Sequence, residues 1–450
     1  MRIHFIAIGG SAMHNLAIAL HKKGYQISGS DDVIFEPAKS RLDKYGLLPA
    51  EMGWDENRIS TDLDAVILGM HARIDNPELL KAQEIGVKIY SYPEYIYEQS
   101  KDKLRVVIGG SHGKTTITSM ILHVLNHYNR DFDYLVGAQL AGFETMVKVT
   151  KEAPVMIIEG DEYLSSPIDR RPKFHLYKAN VAVISGIAWD HINVFPTYAD
   201  YTLQFDKFID TIEENGTLIY CKADADLNEI VTHSNAKVQK IGYAIPEHEI
   251  VNGVTFLLPE KTALKVFGDH NLMNMNAAKL VCAQLNISEA EFNEAISSFT
   301  GAAKRLEVIS ADESTNVYKD FAHSPSKLKA TIEAVKSQFT DRKLIACIEL
   351  HTFSSLNKDF LKEYAGSMDK ADDAIVFIDL KSFEQKRMEP FSESDVQEAF
   401  SNPHLKFFND AAKLKAYLLS QNYKDTNLLM MSSGNYAGFD LPELANSLTR

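Results

Sequence analysis

The sequence predicts an α/β protein of three domains with mostly parallel sheets. Short apolar, β-branched strands alternate with amphipathic helices almost throughout, which is typical of parallel sheets covered on both faces. The 450 residues suffice for roughly three domains, each with its own core. A short polar segment near residue 100 and a new block near residue 301 divide the chain. We therefore expect domains at 1–100, 101–300 and 301–450.

Composition and charge exclude several functional classes. The hydrophobic fraction is 45% and the charged fraction is 24%, which is ordinary for a soluble globular protein. The net charge is −14 and no run of basic residues occurs, so we expect no nucleic-acid partner. No apolar run approaches the roughly 20 residues of a membrane span, so we expect no membrane insertion. The three cysteines, Cys221, Cys282 and Cys347, are widely spaced, which predicts reduced thiols in a cytoplasmic protein.

The first predicted domain opens with a strand and a glycine-containing turn. Strand Ile3–Ile8 is followed by Gly9 and Gly10 and then by a helix to about Lys23, and the stretch from Ile3 to Met13 resembles a Rossmann turn. Ala7 and Ala12 replace two of the three usual glycines. Asp31 ends the second strand, about where an acidic residue would meet a ribose hydroxyl. The pattern is compatible with NAD and equally with a nucleotide diphosphate at the first helix N-terminus.

The second predicted domain opens with a phosphate-binding loop. An apolar strand ends at the loop, and a helix-forming stretch follows it. The short form G-x-x-G-K-T runs from Gly110 to Thr115, while Ile108 stands where the longer motif requires glycine. Backbone N–H groups of such a loop bind phosphate oxygens, Lys114 adds a positive charge, and the Thr115 hydroxyl is suited to Mg²⁺. The candidate ATP contacts here are Gly110, Ser111, His112, Gly113, Lys114, Thr115 and Thr116.

Polar residues also follow two later strands of this domain. Glu159 ends strand Val155–Ile158, where a carboxylate beside a phosphate loop is the expected Mg²⁺ ligand; the alternative is an acidic helix cap. His191 follows strand Val181–Ser185 and is a candidate metal ligand, a general base or only a hydrogen-bonded loop residue.

Three further candidates lie towards the last domain. Asn271 opens a helix, where it is either a ligand contact or a helix cap. Arg305 is suited to a γ-phosphate because its guanidinium matches phosphate geometry, although a surface ion pair is the alternative. Asp320 ends a strand of the last block and precedes His323.

Taken together, these motifs resemble the Mur ligases, a three-domain family of peptidoglycan synthesis and recycling. The blocks GGSHGKTT, EGDE, WDHIN, GDHNLMN, GAAKRLE and DFAHSP occur in the family's order over essentially the whole chain. The N-terminal IHFIAIGGSAM is similar to the branch that takes UDP-N-acetylmuramate. The resemblance implies a Rossmann-like first domain for the UDP-sugar, a central P-loop ATPase-type domain, and a Rossmann-like last domain for an amino acid or peptide.

The resemblance also assigns roles to individual residues. The implied catalytic residues are Lys114, Glu159, His191 and Arg305. The implied Mg²⁺ ligands are Thr115, Glu159 and His191. Further ATP contacts are Asn271, Arg305 and Asp320. The implied UDP-sugar contacts are Gly9, Gly10, Ser11, Ala12, Met13, Asp31 and His71. The implied amine-substrate contacts are His323, His351, Thr352 and Ser354.

Two departures from the family pattern concern the nucleotide contacts and the amine site, and two segments bear on the amine donor. Gly186 replaces an asparagine of the family, and Glu349–Phe353 replaces its arginine-containing loop. The segments DRRPKF (169–174) and WDHINVF (189–195) favour L-alanyl-γ-D-glutamyl-meso-diaminopimelate as the donor over L-alanine. The implied reaction is amide formation through an acyl phosphate, with ATP and Mg²⁺, by a monomer or weak dimer. A nucleotide-binding relative without turnover remains the alternative from another class.

Overall fold

The computed structural model describes residues 1–140, 142–191, 194–302 and 305–449. The chain forms two compact units. The first comprises Met1–Ile187, Ala199–Tyr243 and Ala277–Ile287, and the second comprises Ala188–Tyr198, Ala244–Asn276 and Ser288–Arg450. Among the described residues, no helix combines the length and the apolar character that crossing a membrane requires.

The first sheet, in unit 1, is wholly parallel. Its strands are β1 (Arg2–Ile6), β2 (Gln26–Ser30), β3 (Ala65–Leu68) and β4 (Ile89–Ser91), in the order β2-β1-β3-β4. Its helices are α1 (Ser11–Lys22), α2 (Ala38–Lys44), α3 (Pro77–Ile85) and α4 (Tyr92–Ser100). Helix α4 begins at a capping box formed by Ser91 and Glu94 and ends at Ser100, within the predicted polar segment.

The second sheet, also in unit 1, carries the phosphate loop. Its strands are β5 (Leu104–Gly109), β6 (Asp133–Leu135), β7 (Val147–Lys148), β8 (Val155–Glu159), β9 (Val181–Ile184), β10 (Thr217–Cys221) and β11 (Gln239–Tyr243). They lie in the order β11-β10-β9-β5-β8-β6-β7, and only β6 and β7 pair antiparallel. Its helices are α5 (Lys114–His127), α6 (Tyr198–Asp210) and α7 (Ala225–His233). Because β5 lies between β8 and β9, the loops after these three strands meet at one sheet edge.

A small antiparallel sheet, in unit 2, was not predicted from the sequence. It consists of β12 (His248–Val251), β13 (Val254–Leu257) and β14 (Thr262–Leu264). Its strands are only three or four residues long, and exposed or half-buried positions interrupt the buried ones, so they lack the longer apolar run that marks the other strands. Helices α8 (Asp269–Gln284) and α9 (Glu289–Ile296) follow it in the chain.

The last sheet, also in unit 2, is parallel apart from one edge. Its strands are β15 (Glu307–Ala311), β16 (Asn316–Asp320), β17 (Lys343–Glu349), β18 (Asp373–Phe377), β19 (Lys406–Phe408) and β20 (Thr426–Met431), in the order β15-β16-β20-β17-β18-β19. Only β15 pairs antiparallel with its neighbour. Its helices are α10 (Pro325–Gln338), α11 (Lys358–Leu361), α12 (Leu380–Lys386), α13 (Glu393–Ala399), α14 (Ala411–Leu419) and α15 (Leu441–Leu448).

The core confirms the predicted α/β class. In β17, Leu344, Ala346 and Ile348 pack into the core on one face, while Ile345 and Cys347 pack into the core on the other. A sheet buried on both faces is the arrangement that near-continuous apolar strands predict. The three cysteines are free and buried, as expected. The domain boundaries at residues 100 and 300 stay a prediction.

Candidate phosphate and metal site

The phosphate loop is shaped by two glycines with positive φ. Gly110 has φ +127°, and a Cβ there would lie 2.2 Å from Ser185 Oγ. Gly113 has φ +77° and is the N-cap of α5. The Ser111 N–H donates to the Gly186 carbonyl over 2.9 Å, which fixes the loop to the chain that follows β9. Because glycine lacks a Cβ, the backbone can adopt these conformations and point its N–H groups towards a bound phosphate.

The other loop residues predicted to contact ATP form hydrogen bonds with near neighbours or are buried in α5. Ser111 Oγ and His112 Nδ1 lie 2.9 Å apart, and the Ser185 hydroxyl donates to the His112 carbonyl. Thr116 is buried in the first turn of α5. These bonds fix the conformation of the loop.

Lys114 is held in place by a buried carboxylate. Its Nζ lies 2.8 Å from Glu162 Oε2 and also donates to the Gly110 carbonyl. Glu162 is fully buried and also accepts a hydrogen bond from Tyr201 Oη over 3.2 Å. Burial acts to lower the pKa of Lys114, but Glu162 and Asp161 outweigh burial and raise that pKa. The lysine therefore carries its positive charge at neutral pH.

Thr115 and Glu159 form the candidate Mg²⁺ site. The Thr115 hydroxyl donates to Glu159 Oε1 over 2.8 Å, and the Gly137 N–H donates to Glu159 Oε2 over 2.9 Å. Mg²⁺ prefers such hard oxygen ligands and takes one or two carboxylates together with phosphate oxygens. The donor set therefore fits Mg²⁺. Sequence reasoning missed Gly137, which no local motif marks. It left Glu162 of the run EGDE open between a metal ligand and a helix cap and did not predict it as the partner of Lys114.

The first-sheet candidates gather at the carboxyl end of β1. Gly10 is the N-cap of α1, and the Gly9 N–H donates to Asp31 Oδ2 over 2.7 Å. Burial, with Asp32 adding to it, raises the pKa of Asp31 to about 6. The other predicted contacts are Ser11, Ala12 and Met13 in the first turn of α1 and His71 in the exposed loop after β3.

Asn271, Arg305 and Asp320 all lie in unit 2. Asn271 is buried in the first turn of α8, and its Nδ2 donates to the Phe267 carbonyl over 2.9 Å. Asp320 accepts the N–H groups of Leu306 and Ala322, each over 2.6 Å. Burial raises the pKa of Asp320, although Arg305 acts to lower it. The contacts of Asp320 thus fix the backbone directly after Arg305.

Arg305 itself stacks on an aromatic ring. Its guanidinium carbon lies 4.5 Å from the centre of the Phe321 ring. Such a contact orients the planar group that recognises phosphate. Of the motif GAAKRLE, Ala303 and Lys304 lie outside the described residues.

The predicted metal ligand His191 also belongs to unit 2. It has φ +57°, and its N–H donates to Asp190 Oδ1 over 2.8 Å. Burial acts to raise the pKa of Asp190, but Lys327 and nearby histidines outweigh it and hold the pKa well below its usual range. Of the predicted metal ligands, the structure thus places Thr115 and Glu159 in contact within unit 1. Ile192 and Asn193 of the motif WDHIN lie outside the described residues.

The predicted amine-substrate residues lie at the carboxyl ends of β16 and β17. Burial, with Lys327, lowers the pKa of His323 to about 4, and that of His351 is also lowered by burial. Both side chains are therefore neutral near pH 7. Thr352 Oγ1 donates to Ser355 Oγ over 2.9 Å, and Ser354 lies in the same loop. The loop after β17 therefore presents neutral polar groups.

Comparison with known proteins assigns the family. Three family models match the chain: the Mur ligase family catalytic domain over residues 2–103, the Mur ligase middle domain over 108–282, and the Mur ligase glutamate ligase domain over 304–434. A UDP-N-acetylmuramate–L-alanine ligase of Caldicellulosiruptor bescii is 32% identical over 393 residues, covering 83% of this chain and 82% of that protein.

Solved structures agree on the fold. A UDP-N-acetylmuramate–alanine ligase of Thermotoga maritima superposes with a TM-score of 0.67 at 21% identity, over 97% of this chain and 96% of that one. A murein peptide ligase of Psychrobacter arcticus superposes with a TM-score of 0.63 at 21% identity, over 100% and 98%. The fold class predicted for all three domains is confirmed. The chain belongs to the Mur ligase family of ATP-dependent amide ligases.

Proposed function

We propose that this enzyme uses ATP and Mg²⁺ to join UDP-N-acetylmuramate to L-alanyl-γ-D-glutamyl-meso-diaminopimelate in the cytoplasm, as a step of peptidoglycan recycling. The observation that carries the ligase chemistry is the cluster of Lys114, Thr115 and Glu159 at the ends of β5 and β8. The UDP-sugar is taken from the name of the relative that is 32% identical.

The proposed reaction has two steps. A carboxylate is a poor acyl donor because oxide is a poor leaving group, so its oxygen first attacks the γ-phosphate of ATP and ADP leaves. The amine then attacks the acyl phosphate carbonyl, and phosphate departs from the tetrahedral intermediate. Lys114 and Arg305 would neutralise charge on the transferring phosphoryl group. Thr115 and Glu159 would hold Mg²⁺, which supplies further neutralisation, and His191 is the proposed ligand of a second Mg²⁺.

Replacing Lys114 tests the phosphoryl-transfer role. We expect Lys114→Ala to lower kcat by roughly 10²–10³-fold, because the variant loses a charge aimed at the transition state. Lys101→Ala is the matched control, since Lys101 lies outside the phosphate loop and forms a surface ion pair with Glu98. Ligase activity close to that of the unmodified enzyme would reject the assignment. Activity lost equally in both variants would point to a general defect.

A binding experiment decides between UDP-N-acetylmuramate and NAD as the ligand of the first sheet. The Gly9–Asp31 contact and the α1 N-terminus are compatible with either nucleotide. We expect calorimetry on the full chain to detect UDP-N-acetylmuramate and not NAD. Binding of NAD alone would contradict the proposal. The oligomeric state stays a prediction, monomer or weak dimer, which sedimentation velocity tests.

The tripeptide is the preferred donor because the candidate amine site is polar. The loop after β17 presents His351, Thr352 and Ser354, and His351 Nε2 lies 3.4 Å from Ser433 Oγ. Such groups suit the extra carboxylates and ammonium of the tripeptide better than a methyl group. A site of paired polar groups rejects a ligand that leaves them unpaired, on the order of 10⁴-fold in specificity.

L-Alanine is the second candidate donor. The curated relative at 32% identity is named for it, and that is the observation in its favour. The deciding measurement is kcat/KM for L-alanine beside kcat/KM for the tripeptide, with the same UDP-sugar and ATP. A higher value for the tripeptide supports the first candidate. Equal values or a preference for L-alanine would assign the enzyme to de novo synthesis.

A further inference from the structure

The segment that carries His191 makes hydrogen bonds and a ring contact within unit 2. Trp189 Nε1 donates to the Phe195 carbonyl over 3.1 Å, and the Trp189 ring packs edge-on against Phe360 with 6.4 Å between ring centres. The His191 carbonyl accepts the N–H groups of Val194 and Phe195 over 2.8 and 2.9 Å. We call residues 188–191 and 194–198 the His191 loop.

Asp190 connects this loop to helix α10. Its Oδ2 lies 3.1 Å from Lys327 Nζ, and the two side chains are 18% and 24% exposed. Its other oxygen, Oδ1, accepts the His191 N–H over 2.8 Å. One carboxylate oxygen of Asp190 therefore pairs with Lys327 of α10, and the other accepts the backbone N–H of His191.

We propose that Lys327 is a positioning residue: it holds the Asp190 carboxylate, and through it the His191 loop, in the conformation that binds metal. The inference rests on the proposed role of His191 as a metal ligand. A charge that is mostly removed from water and loses its partner is costly, so the Asp190 carboxylate would turn away towards solvent without Lys327. The hydrogen bond to the His191 N–H would then be lost with it.

Helix α10 offers a matched control. Lys336 forms an ion pair with Asp372 across 2.5 Å, with 28% and 36% of the side chains exposed. Lys336→Met therefore removes a comparable ion pair from the same helix without touching the His191 loop. Lys327→Arg keeps the positive charge and is the rescue variant.

Trp189 provides a readout of the loop that does not require activity. The sequence has two tryptophans, so Trp54→Phe leaves Trp189 as the only source of tryptophan fluorescence. In that background we expect Lys327→Met to increase acrylamide quenching of Trp189, while Lys336→Met and Lys327→Arg do not. Unchanged quenching in Lys327→Met would overturn the proposal. If Lys327→Met fails to fold, Lys327→Gln gives the same comparison.

Metal binding completes the test. We expect Lys327→Met to weaken Mn²⁺ binding by about 10-fold, as is usual when a group that supports a metal ligand is removed. Electron paramagnetic resonance in the presence of a non-hydrolysable ATP analogue measures this binding. Unchanged Mn²⁺ affinity would also overturn the proposal. His191→Ala separates the two hypotheses. If His191→Ala leaves Mn²⁺ binding intact, the metal role of His191 is wrong; if it weakens binding and Lys327→Met does not, only the positioning role is wrong.

Discussion

Thr115 Oγ1 donates to Glu159 Oε1 over 2.8 Å, although the two residues are 44 positions apart in the chain. The contact joins the first turn of α5 to the end of β8. It exists because β5 and β8 are neighbouring parallel strands whose carboxyl ends meet at the same edge. The hydroxyl and the carboxylate are therefore already placed side by side for one cation.

Removing the Thr115 hydroxyl should impair catalysis without unfolding the protein. Thr115→Val keeps the volume of the side chain but loses the hydroxyl that we propose as a Mg²⁺ ligand, and we expect kcat to fall by roughly 10²–10³-fold. The control is Thr118→Val on the same helix, because the buried Thr118 hydroxyl has no hydrogen-bond partner among the described residues. Steady-state kinetics at several Mg²⁺ concentrations provide the measurement. Equal kinetics for both variants would exclude Thr115 from the metal site.

The backbone at Gly110 should not tolerate a side chain. Gly110→Ala places a Cβ 2.2 Å from Ser185 Oγ and 2.8 Å from Ser185 N at a φ of +127°, so we expect a loss of roughly 1–3 kcal/mol in the free energy of unfolding. Calorimetric binding of ADP should weaken because the loop must shift. Gly24→Ala is the control: its φ is +91°, but a Cβ there meets nothing within 4 Å. Normal ADP binding by Gly110→Ala would contradict the prediction.

Binding of the UDP-sugar should depend on pH through Asp31. The pKa of Asp31 is raised to about 6, so its carboxylate is ionised at pH 7 and mostly protonated at pH 5. A carboxylate that accepts a ribose hydroxyl would lose this acceptor as the pH falls, by at most about tenfold in affinity per pH unit below the pKa. We expect the Kd from calorimetry to rise between pH 7 and pH 5. Asp31→Asn should bind with little pH dependence; the same slope in both proteins would remove Asp31 from the site.

Glu78 should stabilise the first sheet in a pH-dependent way. It is fully buried, its Oε2 lies 3.3 Å from His4 Nε2, and its Oε1 accepts the Asp55 N–H over 3.0 Å. Burial acts to raise the pKa of Glu78, but these partners and Ser30 outweigh it and lower the pKa. Its contribution is therefore fully present above the unfolded value of about 4.3 and is lost as the pH falls through the lower folded value.

We expect Glu78→Gln to reduce the free energy of unfolding by about 3–5 kcal/mol at pH 7 and by less near pH 3. Urea denaturation at the two pH values measures this difference. Glu84→Gln on the same helix is the control, since the Glu84 side chain is 67% exposed and forms a surface ion pair with Lys81. A loss that is equal at both pH values would contradict the assigned titration.

Local patterns in the sequence predicted the strand, loop and helix around Lys114 closely. The apolar run 106–108 lies inside β5 (Leu104–Gly109), and the helix predicted after the loop is α5, which already begins at Lys114. The prediction succeeded because an apolar run is followed directly by a glycine-containing loop. The run and the glycines are neighbours in the sequence and can be recognised without knowledge of distant contacts. The short strands β12–β14 were missed because polar and exposed positions interrupt their apolar residues.

The sequence by itself determined the α/β class, the family motifs and which residue types follow each strand. Only the tertiary structure decided which of these residues meet. Glu162 reaches Lys114, Gly137 donates to Glu159, and Asp190 pairs with Lys327 across 137 positions of the chain. Periodicity and glycine placement are encoded within a few residues, so they can be read along the chain. Partners such as these depend on the order in which distant strands and helices pack, and no short segment encodes that order.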